Sequence, residues 1–143
     1  MTEQKRIVVG VDGSESSVRA LQWAAEQAGF KDAVVEAVFA WDWPPYFGTV
    51  GWVAPAEAMP DKLAPQVLDE AIEKALGSEP AVEVRRKVVQ GPAGRILVEA
   101  SEGAEQLVVG NRGHGTLTGA LLGSVSLAAA HHAKCPVTII HGS

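Results

Sequence analysis

An α/β fold, with one doubly wound five-stranded parallel sheet and helices on both faces, follows from three features of the sequence. Five short apolar runs alternate with helix-like segments along 143 residues, the signature of successive βα units. The first run, residues 5–11, is continuous in hydrophobicity, as in a strand covered on both faces. The length is that of one ordinary domain, so residues 1–143 are read as a single unit.

The first strand is KRIVVGV, residues 5–11, rich in β-branched side chains and closed by Asp12-Gly13-Ser14. A helix follows, because Val18, Leu21, Ala25 and Ala28 recur on one face, and Gly29 is a plausible stop. AVVEAVFA, residues 33–40, is the second strand. The second helix covers 61–77, with Leu63, Val67, Ile72 and Leu76 on one face, Pro65 in or near its first turn, and Gly77 at its end. The third strand is AVEVRRKVV, 81–89, whose Glu83, Arg85 and Lys87 suit a sheet edge. A short helix over 92–103 opens with Pro92 as its first residue. EQLVVG, 105–110, is the fourth strand; Ser124 to Lys134 is the fourth helix, and Pro136 to His141 the fifth strand.

With strand order 3-2-1-4-5, the order reverses between the first and fourth strands. Ligands of such sheets bind at that reversal, beyond the C-terminal strand ends. The loops to examine are those after Val11 and after Gly110.

Composition narrows the function classes. Hydrophobic residues make up 47% and charged residues 20%, enough apolar material for one core. A net charge of −5 argues against a general nucleic-acid binder, which needs a basic face. No run is long enough to span a membrane, and the N-terminus lacks the apolar stretch of a signal peptide. The single Cys135 forms no internal disulfide. The expectation is a cytoplasmic protein without a membrane partner. No Asp or Glu follows Glu105, whereas Arg112, Lys134 and all four histidines (114, 131, 132, 141) do. That leaves room for an anion, although a buried strand and helix would produce the same bias.

The main chemical signal is GNRGHGTLTGALLGSVS, residues 110–126, placed between a predicted strand end and a helix start. Its spacing is Gly110-x2-Gly113-x9-Gly123-Ser124. Glycines let backbone N–H groups approach phosphate oxygens, and the following helix terminus adds donors and partial positive charge. Ser124 and Ser126 add hydroxyls, and Arg112 and His114 are the nearby candidate cations. Tight packing alone is the competing explanation. The second signal is Asp12, at the end of the neighbouring strand. It suits a nucleoside, or equally a helix cap.

Several absences count as well. There is no G-x4-G-K-[ST] and no G-x-G-x-x-G after the first strand. Adjacent His131 and His132 point to different helix faces, a poor spacing for a metal. Cys135 reads as an inert thiol, and Ser14, Ser16 and Ser17 lack a nucleophile elbow. The segment 41–60 carries Trp41, Trp43, Tyr46, Phe47, Trp52 and four prolines. It covers a ligand, a partner chain or the protein's own core, and it is a candidate lid.

These residues resemble the universal stress proteins, in particular their ATP-binding branch. The resemblance spans nearly the whole chain. It rests on VVGVDGSESSVRALQWAAEQA (8–28), LVVGNRGHGTLTGALLGSVS (107–126) and HHAKCPVTII (131–140). Gly110, Gly113, Gly123 and Ser124 match the family's G-x2-G-x9-G-[ST] motif in full, and Asp12 matches its strand-one aspartate. The resemblance implies that Val11, Asp12 and Val38 border an adenosine, and that Gly113, Gly123, Ser124, Val125 and Ser126 surround its phosphates or ribose. It implies ATP, with or without magnesium, as the ligand, and a homodimer joined through Pro136 to Ile140. Asn111 stands where a serine is common, and the 41–60 segment varies within the family. Both bear on ligand preference, since some relatives prefer other adenine nucleotides, including cyclic AMP. Few groups for hydrolysis are present, so the expectation is nucleotide-dependent regulation of a stress response with weak ATP turnover at most. The alternatives are a slow hydrolase and a nucleotide-independent interaction module.

Overall fold

The strands of one parallel sheet run in the order β3-β2-β1-β4-β5. The computed structural model describes residues 4–41, 60–111 and 123–141. In chain order the elements are β1 (Arg6–Gly10), α1 (Glu15–Lys31), β2 (Val34–Trp41), α2 (Pro60–Leu76), β3 (Val84–Gln90), α3 (Ala93–Ser101), β4 (Gln106–Gly110), α4 (Ser124–His132) and β5 (Val137–Ile140). Order reverses between β1 and β4, which pair through Ile7 with Gln106 and Val9 with Val108.

The continuous apolar strands serve two cores. On one face Ile7, Val9, Val35, Ala37 and Val108 pack under Leu21, Ala24, Leu68 and Ile72 of α1 and α2. On the other, Val8, Val38, Leu107 and Val109 pack under Ile96 and Leu97 of α3 and Ala129 of α4. Leu21 and Ile72 are essentially fully buried, each contributing roughly 1.5–3 kcal/mol of apolar burial.

Helix ends differ from expectation in instructive ways. α1 runs through Gly29, and Asp32 is its left-handed C-cap at φ 54°, its N–H bonded to the Ala28 carbonyl. Aspartate tolerates that region, so a glycine was not needed to stop the helix. α2 does end at Gly77, which has φ +79° and donates to the Glu73 carbonyl at 2.8 Å. Pro65 is the sixth residue of that helix, near its first turn as expected. Pro92 is the N-cap of α3, not its first residue, with extended ψ of 128°. α4 stops at His132.

β3 is an edge strand, as its charges suggested, and Arg85 and Arg86 pair with Glu83 and Asp69 at 2.8 and 2.6 Å. One charge lies deep in the sheet. Glu36, the third residue of β2, is 2% exposed. Its Oε2 meets Arg6 Nη1 of β1 and its Oε1 meets Lys87 Nζ of β3, both at 2.9 Å. The Oε1 contact is an ion pair without well-directed hydrogen-bond geometry. Arg6 also donates to the carbonyls of Ala100 and Glu102 at the C-terminal end of α3, at 3.2 and 2.8 Å. A cation there complements the helix dipole. Glu36 thus ties three strands together, and Arg6 links them to the end of α3.

Candidate functional site

The turn after β1 is built by two side chains. Ser14 N donates to Asp12 Oδ1 at 2.9 Å, the self-bonded turn typical of aspartate. Ser14 then caps α1, its hydroxyl accepting from Ser17 N at 3.3 Å. The cap is therefore Ser14, and Asp12 stands at the strand end, where the sequence allowed either role. The turn is fastened to the sheet by Val11 N, which donates to the Val38 carbonyl at 2.9 Å.

The corresponding exit from β4 runs through Asn111, which is buried. Asn111 N donates to the Ile140 carbonyl, and Gly123 N donates to the Asn111 carbonyl, both at 2.8 Å. The Asn111 side-chain amide lies 3.2 Å from His141 Nδ1. Gly123 is the N-cap of α4 and supplies no side-chain cap; the first turn of α4 carries no acidic residue. An N-terminus of this kind presents amide donors and the positive end of the helix dipole.

Between these two exits lies a cavity of about 240 Å³. Val38, Ala40, Leu97, Val109 and Val125 give it apolar walls. Asp12, Ser14, Ser17, Ser124 and Ser126 give it polar ones. The structure brings Val11, Asp12, Val38, Gly110, Gly123, Ser124, Val125 and Ser126 together around one space. Arg112, Gly113 and His114 lie outside the described residues, as does the aromatic segment from 42 to 59.

Gly110 answers to packing as well as to the cavity. A Cβ there would stand 2.8 Å from Ser16 Cβ and 2.9 Å from the Ser16 carbonyl carbon, so the end of β4 passes against the first turn of α1. Ser126 is 1% exposed. Its hydroxyl donates to the Gly123 carbonyl at 2.9 Å, with the Asn111 carbonyl at 3.4 Å.

Sequence reasoning missed Ser17, Ala40, Ala93, Leu97 and Val109, all of which line the cavity. The topology contained the signal for Ala93. Every helix that follows a strand starts at the C-terminal edge of the sheet, so the first residues of α3 face the same space as those of α1 and α4.

Other candidate chemistry is absent among the described residues. No group of three or more His, Cys, Asp or Glu side chains is placed to hold a metal ion. No helix there is long and apolar enough to cross a membrane. Burial pushes the Cys135 thiol above its ordinary pKa, and the Arg6 charge only partly opposes this. A raised thiol is a poor nucleophile.

The model of the universal stress protein family matches residues 3–141. A universal stress protein of Mycolicibacterium smegmatis is 34% identical over 143 residues, covering 95% of this chain and 48% of that protein. A universal stress protein of Mycobacterium tuberculosis is 34% identical over 147 residues, covering 99% of this chain and 46% of the relative. The chain thus spans about half the length of the curated relatives it matches. Among solved structures, a universal stress protein in complex with cAMP is 30% identical, with a TM-score of 0.68, and 99% of this chain covers 100% of that one. The hypothetical protein MJ0577 shares the fold at a TM-score of 0.78 and 19% identity, over 99% of each chain. On the match over residues 3–141 and these relatives, the chain belongs to the universal stress protein family.

Proposed function

We propose that the chain binds an adenine nucleotide, ATP in the first instance, in the cavity between β1 and β4. One observation carries this reading: an apolar recess meets, at its rim, a helix N-terminus that has neither a side-chain cap nor an acidic residue. The recess suits a purine and ribose, and the rim suits phosphates. Asp12 also lines the cavity, and in this reading its carboxylate accepts from the nucleoside hydroxyls. Gly113, Arg112 and His114 complete the phosphate side in this reading. A relative 30% identical was solved with cAMP, which favours adenine and supports cyclic AMP as a second reading.

Binding, more than hydrolysis, is the function proposed. Asp12 is the one carboxylate lining the cavity among the described residues, and hydrolysis needs a group that orients an in-line water. We also propose a homodimer through Pro136 to Ile140. β5 ends the sheet, and its Val137, Ile139 and Ile140 are only partly covered. An apolar edge of that kind is a template for pairing. A stress-linked partner would then read the nucleotide state.

Denaturing the purified protein and weighing what it releases tests the ligand, and calorimetry with ATP, ADP and cyclic AMP ranks them. Asp12→Ala is expected to weaken ATP binding at least about tenfold, the value of a lost polar contact to a bound ligand. Gly123→Val, which puts a branched side chain at the rim, is expected to cost about 10- to 100-fold. Both variants should remain folded, but each is expected to lower stability by about 1 kcal/mol in thermal melting, because Asp12→Ala loses the bond to Ser14 N and Gly123→Val is a poor N-cap for α4. A wild-type protein that releases no nucleotide and gives no heat with any of the three would end this reading.

A further inference from the structure

We infer that Ser126 is a positioning residue, the pin of a clasp that aims the N-terminus of α4 at the cavity. The inference rests on the nucleotide reading above and specifies how that site is held in shape.

A serine hydroxyl has one proton. In Ser126 that proton is directed at the Gly123 carbonyl, 2.9 Å away, with the Asn111 carbonyl at 3.4 Å. Both acceptors are main-chain groups of the two residues that bracket the segment 112–122. Gly123 N closes the ring by donating to the same Asn111 carbonyl at 2.8 Å. Asn111 is in turn fixed to the end of β5 through Ile140. The side chain is 1% exposed, so water does not compete for the contact.

A proton spent on two carbonyls is not offered to a phosphate oxygen. The value of Ser126 to an anion is therefore indirect. It holds Gly123 so that the first-turn amides of α4, from Ser124 and Val125, face the cavity rather than fraying from it. Glycine at the N-cap makes this necessary, because Gly123 brings no side chain to fix the turn. Threonine at 126 retains the clasp, since its hydroxyl bonds the carbonyl three residues back in a helix.

Two measurements on the whole chain test this. In the nucleotide-free protein, Ser126→Ala is expected to speed hydrogen exchange at the Gly123 amide about tenfold, the effect of losing one buried hydrogen bond. By calorimetry it is expected to weaken ATP about tenfold while leaving adenosine within about twofold, because only the phosphate side is disturbed. Ser126→Thr should restore both. Unchanged Gly123 exchange beside a loss of ATP would make Ser126 a direct ligand and overturn the inference. Equal losses for ATP and adenosine, or no loss for either, would also overturn it. A wild-type chain that binds no adenine nucleotide defeats the nucleotide reading instead, and the exchange of Gly123 still decides the clasp.

Discussion

Glu36→Ala is expected to destabilise the domain by about 3 kcal/mol at pH 7, the lower end of the cost of breaking a buried ion pair from one side. The lower end applies because the two cations fare differently. The Lys87 side chain is 58% exposed and can turn to water, whereas Arg6 is 24% exposed and stays over the vacated site. Burial by itself would raise the Glu36 pKa, but the contacts with Lys87 and Arg6 outweigh it and hold the carboxyl below its ordinary value. A lowered native value means that the unfolded chain takes up the proton first. The stabilisation is then fully present above about pH 4.5 and is lost as pH falls through the native value. The gap between wild type and Glu36→Ala in urea unfolding should therefore be widest at neutral pH and narrow steadily below about pH 4.5. A gap of the same size at both ends would mean that a cavity, not a charge, sets the cost. Glu36→Gln keeps the volume and loses the charge, so it should cost less at pH 7, about 1.5–3 kcal/mol.

That residue also marks the limit of what the sequence made legible. Strand positions and the parallel sheet follow from apolar runs alternating with helices, and once the order 3-2-1-4-5 is taken, the reversal rule puts the site between the ends of β1 and β4; all of these are local or topological signals. Glu36 sits inside such a run, and one-dimensional reasoning has no means of pairing it. Its partners are 30 and 51 positions away and become neighbours only once β1 and β3 flank β2. The end of α1 was missed for a related reason: Asp32 takes the left-handed turn as well as a glycine does when its N–H reaches Ala28. The same holds for Leu97, which belongs to a helix with no motif and reaches the cavity only through packing. Asn111 stands in the sequence only as a residue where serine is common. Its role as the joint between β4, β5 and α4 depends on backbone hydrogen bonds that composition does not encode.

Gly110→Ala is expected to be costly in both stability and ligand binding, and Gly10→Ala mild in both, although each glycine ends a central strand and lines the same cavity. The difference lies in what the added methyl meets. At Gly10 it comes within 2.6 Å of Leu97 Cδ1, the far end of a side chain that can change rotamer. At Gly110 it comes within 2.9 Å of the Ser16 carbonyl carbon, which is backbone of the first turn of α1. Relief there requires α1 to move as a body, because its residues are locked into the core by Leu21 and Ala24. Overpacking of this kind costs about 1–3 kcal/mol. The displaced turn also carries Ser14 and, through its bond to Ser14 N, Asp12. One wall of the cavity therefore shifts relative to the other, and binding energy that depends on both walls falls. ATP affinity is expected to drop at least about tenfold in Gly110→Ala, the worth of one well-placed polar contact, and less than about threefold in Gly10→Ala. Ser16→Gly placed in the Gly110→Ala background removes the nearest side-chain atoms but not the carbonyl carbon, so it should recover only part of both losses. Full recovery would locate the conflict in the Ser16 side chain and not in the close passage of two backbones.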